Sequence, residues 1–201
     1  IENIRFYPEE EKNDQNFVKQ ISKKFDLFVN DAFSVSHREH ASIVGFAKYL
    51  PAIAGDSLVE EIKNIDVFLN NPKKPNLAII GGSKISTKIN LLNNLIEFFD
   101  TIVLGGAMAN TFLYANKVNT GISFVEKNLL TNARAIQTKA TNYKCKLILP
   151  VDAVCSKKLT DKINIRCCEI NDVLQDHMIL DVGEKTIKII KDEILKSQMI
   201  I

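Results

Sequence analysis

The pattern of apolar and polar residues predicts strands and helices that alternate along the chain. Short continuous apolar runs are typical of strands buried on both faces of a parallel sheet. Such runs, or shorter apolar segments, lie at residues 1–6, 27–29, 49–55, 77–80, 101–104, 146–149 and 199–201. Apolar residues at helical spacing predict helices. These stretches are residues 14–24, with Asp14 as the predicted N-cap, 56–69, with Asp56 or Ser57 as the predicted N-cap, 89–99 and 127–138, and another helix begins at 111–114. This alternation predicts an α/β fold with parallel, doubly wound (Rossmann-like) sheets.

Residues 76–89 combine a predicted strand, two glycines and a predicted helix. The glycines at 81–82 allow a tight turn and a close approach of the backbone to a ligand. Ser83 is a predicted N-cap, which would direct free N–H groups and the positive end of the helix dipole at an anion. Lys84 and Lys88 would then lie on one face of the first turn. The stretch therefore predicts a phosphate-binding turn.

Two alternatives bear on this turn. Lysines four apart on a helix also form ordinary solvated faces, and lysine is abundant in this chain. The stretch is not a P-loop, and it lacks the third glycine of the dinucleotide fingerprint. A dinucleotide-dependent oxidoreductase is disfavoured, because no acidic ribose-binding residue clearly follows a three-glycine turn.

The composition narrows the class of protein. Of 201 residues, 46% are hydrophobic and 25% charged, which is the balance of a soluble globular protein. A net charge of only +2, without blocks of like charge, gives little support for nucleic-acid binding. No apolar stretch approaches the ~20 residues that cross a bilayer. We therefore expect neither a nucleic-acid partner nor a membrane.

The cysteines predict a reducing compartment. Cys145, Cys155, Cys167 and Cys168 have no C-x-x-C spacing and no signal peptide before them. We therefore expect reduced thiols, a cytoplasmic location and no zinc site. The first residue is Ile and already belongs to an apolar segment, so the chain is expected to be a piece of a longer one.

Cationic residues follow the predicted strands of the first third of the chain. Arginine occurs at only four positions, and Arg5 ends the first predicted strand. His37, Arg38 and His40 follow the next one. Ligands of open α/β sheets bind at the carboxyl ends of strands, and the planar fork of Arg38 can grip a phosphate or carboxylate. Either histidine alone could instead be a hydrogen-bonded loop residue.

Seven ordered motifs resemble those of phosphoglycerate kinases. They are Glu-Asn-Ile-Arg-Phe at 2–6, Asn-Asp-Ala-Phe at 30–33, Ser-His-Arg-Glu-His-Ala-Ser at 36–42, Gly-Gly-Ser-Lys-Ile-Ser-Thr-Lys at 81–88, Gly-Gly-Ala-Met-Ala at 105–109, Leu-Pro-Val-Asp at 149–152 and Leu-Asp-Val-Gly at 180–183. Each motif is weak alone, but their order along the whole chain is specific.

The resemblance implies the central segment of a two-lobed glycolytic enzyme. Residues 1–55 would be the carboxyl-terminal part of the phosphoglycerate-binding lobe. Residues 56–74 would be the interdomain helix and linker, and residues 75–201 the amino-terminal part of the nucleotide-binding lobe. Both lobes would be incomplete, so we expect this segment alone to be inactive. The complete enzyme would be a monomer.

The resemblance also implies the activity and its residues. The reaction transfers a phosphoryl group between 1,3-bisphosphoglycerate and ADP, giving 3-phosphoglycerate and ATP. Arg5, His37, Arg38 and His40 would bind the phosphoglycerate, and Arg38 and Lys84 would be catalytic. The nucleotide residues would be Gly82, Ser83, Lys84, Lys88, Gly105, Gly106 and Phe124.

Two further expectations complete this reading. ATP or ADP would carry magnesium, whose aspartate ligand lies outside this chain, so no metal ligand is predicted here. The alternative to an enzyme is a non-catalytic nucleotide-binding remnant of a split or decayed kinase gene.

Overall fold

The computed structural model describes residues 2–160 and 165–201. The chain forms two compact units, Ile1–Asn71 and Pro72–Ile201, called here the first and the second unit. The predicted division at residues 55 and 74 stays a prediction. None of the described helices has the length and apolar character that crossing a membrane requires.

The first unit contains three α-helices and two strands in its described residues. The helices are α1 (Pro8–Glu11), α2 (Gln15–Ser22) and α3 (Asp56–Asn70), and the strands are β1 (Phe28–Asn30) and β2 (Ala52–Ala54). The predicted cap of α2 is confirmed, because the Asp14 carboxylate accepts a hydrogen bond from the Phe17 N–H at 2.9 Å. The two strands pair in parallel, as predicted.

Two local predictions for this unit are wrong. Residues 4–6 form a 3₁₀ turn rather than a strand, because Asn3 accepts hydrogen bonds from the Arg5 and Phe6 N–H groups. Ile1, the start of that predicted strand, lies outside the described residues. The N-cap of α3 is Gly55 rather than Asp56 or Ser57. The Asp31 carboxylate supplies the acceptor instead, bonding the Leu58 N–H at 2.9 Å.

The second unit is built on a parallel sheet with the strand order β5-β4-β3-β9. Its strands are β3 (Asn76–Gly81), β4 (Thr101–Gly105), β5 (Lys146–Ile148) and β9 (Met199–Ile200). The predicted parallel α/β fold is therefore confirmed. The apolar run of β3 is not buried throughout, since Leu77 and Ala78 are inaccessible but Ile79 is 41% exposed.

Four helices accompany this sheet: α4 (Ile89–Phe98), α5 (Gly106–Ala115), α6 (Leu130–Asn142) and α7 (Glu184–Lys196). Helix α5 begins at Gly106, five residues before the predicted start at 111, and a 3₁₀ turn at Lys127–Leu129 precedes α6. Isoleucines 189, 190 and 194 of α7 pack against buried Leu77, Val103 and Ile148 of the sheet. This cluster is one of the apolar cores of the second unit.

A three-stranded antiparallel sheet was not predicted. It has the order β7-β6-β8, formed by β6 (Asp152–Ser156), β7 (Arg166–Glu169) and β8 (Met178–Val182). Cys155 and Cys168 lie on adjacent strands of it with their sulfurs 3.9 Å apart. All four cysteines are free thiols, as predicted.

Asp152 joins this antiparallel sheet to helix α7. Its carboxylate accepts hydrogen bonds from the Lys185 N–H and the Thr186 N–H, both at 2.9 Å, and from the Thr186 hydroxyl at 2.6 Å. Burial raises the pKa of this carboxyl, but the hydrogen bonds from Thr186 and Lys185 outweigh burial and hold the pKa below its usual value of 3.8. The ionised group therefore stabilises the start of α7.

We expect Asp152→Asn to lower stability at pH 7 by about 1.5–3 kcal/mol, the value of hydrogen bonds to a charged group. Because folding lowers the pKa, this contribution is complete above pH 3.8 and is lost as the pH falls through the lowered pKa. Urea unfolding measured from pH 7 to pH 3 should show that the difference in free energy of unfolding between wild type and variant becomes smaller as the pH falls towards 3. Asp172→Asn, at an exposed position, is the control. A difference that stays constant to pH 3 would contradict the assignment.

Candidate functional site

The two glycine pairs of the second unit lie side by side. Strands β3 and β4 pair in parallel with Gly81 opposite Gly105, so that both strands end at the same edge of the sheet. A Cβ placed on Gly81, Gly82 or Gly105 would have no other heavy atom within 4 Å. The edge therefore presents open backbone of the kind that a flat ligand can approach closely. We call it the glycine edge.

Gly106 has a different reason to be glycine. Its φ is +68°, a left-handed conformation that side chains disfavour. A Cβ there would also lie 2.7 Å from the Gly82 carbonyl oxygen. The Met108 N–H donates to that same oxygen at 2.9 Å. The start of α5 is thus held directly against the turn that follows β3.

The predicted helix start at Ser83 is wrong. Helix α4 begins at Ile89, and Lys88 is its N-cap. Residues 82–88, called here the lysine segment, contain turns but no regular helix or strand. Lys84 is exposed and lies within this segment, while half-buried Lys88 lies at its end, so the two lysines do not share the first turn of a helix.

Glu126 explains why the helix starts late. Its carboxylate accepts hydrogen bonds from the Ile85 N–H at 2.6 Å, the Ser86 N–H at 3.1 Å and the Ser86 hydroxyl at 2.6 Å. Burial raises the pKa of Glu126, but these hydrogen bonds and the charge of Lys84 lower it by more, so the pKa lies below its usual value. Sequence reasoning missed Glu126, because its partners lie 40 and 41 residues away.

Phe124 lies two residues before Glu126 and is 51% exposed. The residues before it are tied to β8 and to the residue preceding that strand, because the Ile122 N–H donates to the His177 carbonyl and the Ser123 hydroxyl accepts from the Ile179 N–H. The exposed ring is therefore carried on an anchored backbone. An aromatic face held in this way can contact a planar ligand.

A small cavity of about 140 Å³ adjoins the glycine edge. Its lining is formed by Gly106, Ala107, Asn110, Pro150 and residues 179–182. Asn110 is only 3% exposed. It is one of the few polar residues of the largely apolar helix α5, and this contrast in the sequence could have identified it. The cavity thus combines apolar walls with a polar group, as small-molecule sites do.

Most of the cationic side chains predicted to bind ligand in the first unit have no hydrogen-bond or salt-bridge partner among the described residues. Arg5 lies in the 3₁₀ turn rather than at a strand end, and His37 and Arg38 lie in the turn after a 3₁₀ helix at Phe33–Val35. All three are exposed. Among the described residues, no salt bridge or hydrogen bond engages the guanidinium of Arg5 or Arg38. Both cations are available to an anionic ligand.

His40 differs from these three residues, because it has a partner within the unit. Its Nδ1 lies 3.7 Å from the carboxylate of Glu10, which is 1% exposed. Glu10 also accepts hydrogen bonds from the N–H and hydroxyl of Ser42, in the first turn of a π-helix at Ala41–Gly45. Sequence reasoning missed Glu10, since its position within the acidic run 9–11 does not mark it out.

Two other features of the molecule do not join these residues. An open groove of about 790 Å³ runs along α2 in the first unit, and none of the predicted site residues lines it. No group of three or more His, Cys, Asp or Glu side chains in the described part of the chain could hold a metal ion.

Together the fold and these residues define an α/β protein whose parallel sheet ends in a glycine-rich, lysine-bearing edge suited to a phosphorylated ligand. Residues 1–201 match the model of the family described as phosphoglycerate kinase. The chain belongs to the phosphoglycerate kinase family.

Individual relatives agree with this membership. The chain is 47% identical over 188 residues to the phosphoglycerate kinase of Caulobacter vibrioides, covering 94% of this chain and 48% of the relative. It is 45% identical over 201 residues to that of Finegoldia magna, covering 100% of this chain and 51% of the relative. The chain therefore spans about half the length of the curated relatives it matches.

Solved structures show the same correspondence. The phosphoglycerate kinase of Coxiella burnetii matches with a TM-score of 0.78 at 36% identity, over 98% of this chain and 51% of that one. The enzyme of Pyrococcus horikoshii OT3 matches with a TM-score of 0.81 at 26% identity, over 98% of this chain and 52% of that one.

Proposed function

We propose that the protein acts as a phosphoglycerate kinase, transferring a phosphoryl group reversibly between 1,3-bisphosphoglycerate and ADP to give 3-phosphoglycerate and ATP in glycolysis. The observation that carries the proposal is the family match along residues 1–201. We also propose that the protein is a monomer and that it is located in the cytoplasm. No described residue favours the non-catalytic alternative.

In this proposal the second unit binds the nucleotide. The purine base lies against Gly82, Gly105 and Gly106, beside the exposed ring of Phe124. The phosphates lie at Ser83, Lys84 and Lys88. The open space above the glycine edge supports this arrangement, because only a surface without side chains lets a planar base contact the backbone.

The first unit binds the phosphoglycerate through Arg5, His37, Arg38 and His40. Unpartnered guanidinium groups support this role, since an arginine that only stabilised the fold would be paired with a carboxylate or carbonyl. The Nδ1 of His40 lies 3.7 Å from the Glu10 carboxylate, a contact that is an ion pair when the imidazole is protonated. Arg38 is the principal cation in this group.

The chemistry needs charge and position rather than acid–base catalysis. The acceptor is the carboxylate of 3-phosphoglycerate, which is already ionised at pH 7 and needs no general base. As it attacks, a new P–O bond forms and the bond between the γ-phosphorus and ADP breaks. Negative charge spreads over the oxygens in flight, and Lys84 and Arg38 neutralise it.

Magnesium would accompany ATP or ADP. The described residues contain no group of three or more His, Cys, Asp or Glu side chains that could hold a metal ion, so we propose no magnesium ligand among them.

A coupled assay tests the proposal on a protein that contains this chain and has the length of its relatives. We expect ADP to form from MgATP only when 3-phosphoglycerate is present. Calorimetric binding of MgADP without any phosphoryl transfer would contradict the proposal and would favour a non-catalytic nucleotide-binding protein.

A further inference from the structure

The lysine segment, residues 82–88, has no regular secondary structure, so its conformation depends on a few contacts. Its first residue is held by the hydrogen bond from the Met108 N–H to the Gly82 carbonyl. Its centre is held by the side chain of Ile85, which is fully buried. Helix α4 fixes only the end at Lys88. Within the segment the Thr87 hydroxyl donates to the Lys84 carbonyl at 3.1 Å and the Lys88 N–H to the Ile85 carbonyl at 2.8 Å, so the Ile85 and Ser86 N–H groups are the donors that need an acceptor from outside.

Glu126 supplies this acceptor from outside the segment. Its carboxylate accepts the three hydrogen bonds from Ile85 and Ser86, the two residues that follow Lys84. The backbone of Glu126 is fixed in turn, because its N–H donates to the hydroxyl of Thr111 at 3.2 Å. Thr111 is buried within α5. One carboxylate thus connects the lysine segment to the helix that begins at the glycine edge.

We infer that Glu126 is a positioning residue of the nucleotide site, ordering the lysine segment before the phosphates bind. This inference rests on the proposed function. Ordering a flexible segment on binding costs free energy, and this cost weakens the affinity for the ligand. A segment already held by three hydrogen bonds avoids most of it. The Glu126 carboxylate is directed at Ile85 and Ser86, so its role is to hold the segment rather than to bind an anionic phosphate itself.

Neutralising Glu126 tests the inference, because the electrostatic effect and the ordering effect would change the affinity for ADP in opposite directions. A carboxylate near Lys84 repels a nucleotide, so its neutralisation would tighten ADP binding if electrostatics were its main effect. If Glu126 instead orders the segment, the same neutralisation loosens the backbone at Ile85 and Ser86 and weakens binding. Glu126→Gln separates these cases, because the amide keeps the size but loses the charge, and its neutral oxygen accepts weaker hydrogen bonds than a carboxylate does.

Titration calorimetry with MgADP, on a protein that contains this chain and has the length of its relatives, measures this effect. We expect Glu126→Gln to raise the Kd about tenfold, since two lysines and their backbone lose their order. Adenosine, which has no phosphates, should bind both forms equally. Glu97→Gln is the matched control, because Glu97 is an exposed glutamate of the same unit that pairs with Lys139. It should leave the Kd unchanged.

Amide hydrogen exchange gives a second measurement that needs no ligand. In Glu126→Gln the Ile85 and Ser86 amides should exchange faster, while the Met108 amide keeps its wild-type rate. Ser86→Ala removes only one of the three donors and should raise the Kd about threefold, which keeps the test open if Glu126→Gln does not fold. Failure of the wild type to bind MgADP would overturn the proposed nucleotide site. Normal wild-type binding that Glu126→Gln leaves unchanged or tightens would overturn this inference alone.

Discussion

Lys84→Ala is expected to lower kcat about 100- to 1000-fold in a protein of its relatives' length, the equivalent of about 2.7–4 kcal/mol, as for other groups that stabilise charge mainly in the transition state. Lys84 is exposed and lies in the lysine segment, away from the first turn of α4. Its long side chain can therefore follow the phosphoryl group as it moves. The Kd for MgADP should change little.

Lys88→Ala should instead weaken ADP binding more than it lowers kcat. Lys88 is half-buried at the N-cap of α4, so its ammonium is less mobile and is suited to a phosphate that does not move. We expect a higher KM for ADP and a smaller effect on kcat. Lys188→Ala, at an exposed lysine of α7, is the control for loss of a positive charge. Steady-state kinetics with calorimetry distinguishes the two roles, and a Lys84→Ala variant with weak ADP binding and normal kcat would reverse them.

Arg38→Ala is expected to lower kcat/KM for 3-phosphoglycerate about 10- to 100-fold while the Tm stays unchanged. A hydrogen bond to a charged group contributes about 1.5–3 kcal/mol, and 1.4 kcal/mol corresponds to a factor of ten. The guanidinium has no hydrogen-bond or salt-bridge partner among the described residues, so its removal leaves no described group unsatisfied. The fold should therefore tolerate the change.

Arg134 provides the comparison for this second experiment. Its Nε donates to the Ala115 carbonyl at 3.1 Å, tying α6 to the end of α5. Arg134→Ala should lower the Tm and leave kcat/KM close to wild type. Arg38→Lys should recover only part of the activity, because an ammonium keeps the charge but lacks the planar fork. A large fall in Tm for Arg38→Ala with normal kinetics would instead indicate a structural ion pair.

The parallel strands could be predicted from the sequence because their signal is local. Residues 101–104 are apolar or small, and in β4 the four are all buried. The glycine pairs follow two such strands directly, so their positions at one edge follow from parallel pairing. In the first unit the same signal was less complete, because Leu27, Val29 and Ile53 are 47%, 48% and 53% exposed although they lie in apolar runs, whereas Phe28 is partly buried.

Most of the failures have a common cause, a partner distant in sequence, and the exception is the 3₁₀ turn at residues 4–6, which the neighbouring Asn3 holds. Ser83 has the composition of an N-cap, but the Glu126 carboxylate holds Ile85 and Ser86 in turns and delays the helix. The helix cap supplied by Asp31 to Leu58 crosses 27 residues. The antiparallel sheet joins β6 to β7 and β8 through long-range pairs whose apolar signal is short and irregular. Local pattern alone does not identify such partners.

The glycines at the glycine edge and Gly106 beside it are under two different evolutionary constraints. At Gly106 both the left-handed backbone and the 2.7 Å approach of the Gly82 oxygen exclude a side chain, so selection for a folded protein is sufficient to keep glycine there. At Gly81, Gly82 and Gly105 the fold leaves room for a methyl group. If glycine persists at these three positions through descent, the cause is whatever occupies the space above them. Drift at the three sites, with Gly106 retained, would mark a lineage that kept the fold and lost its ligand.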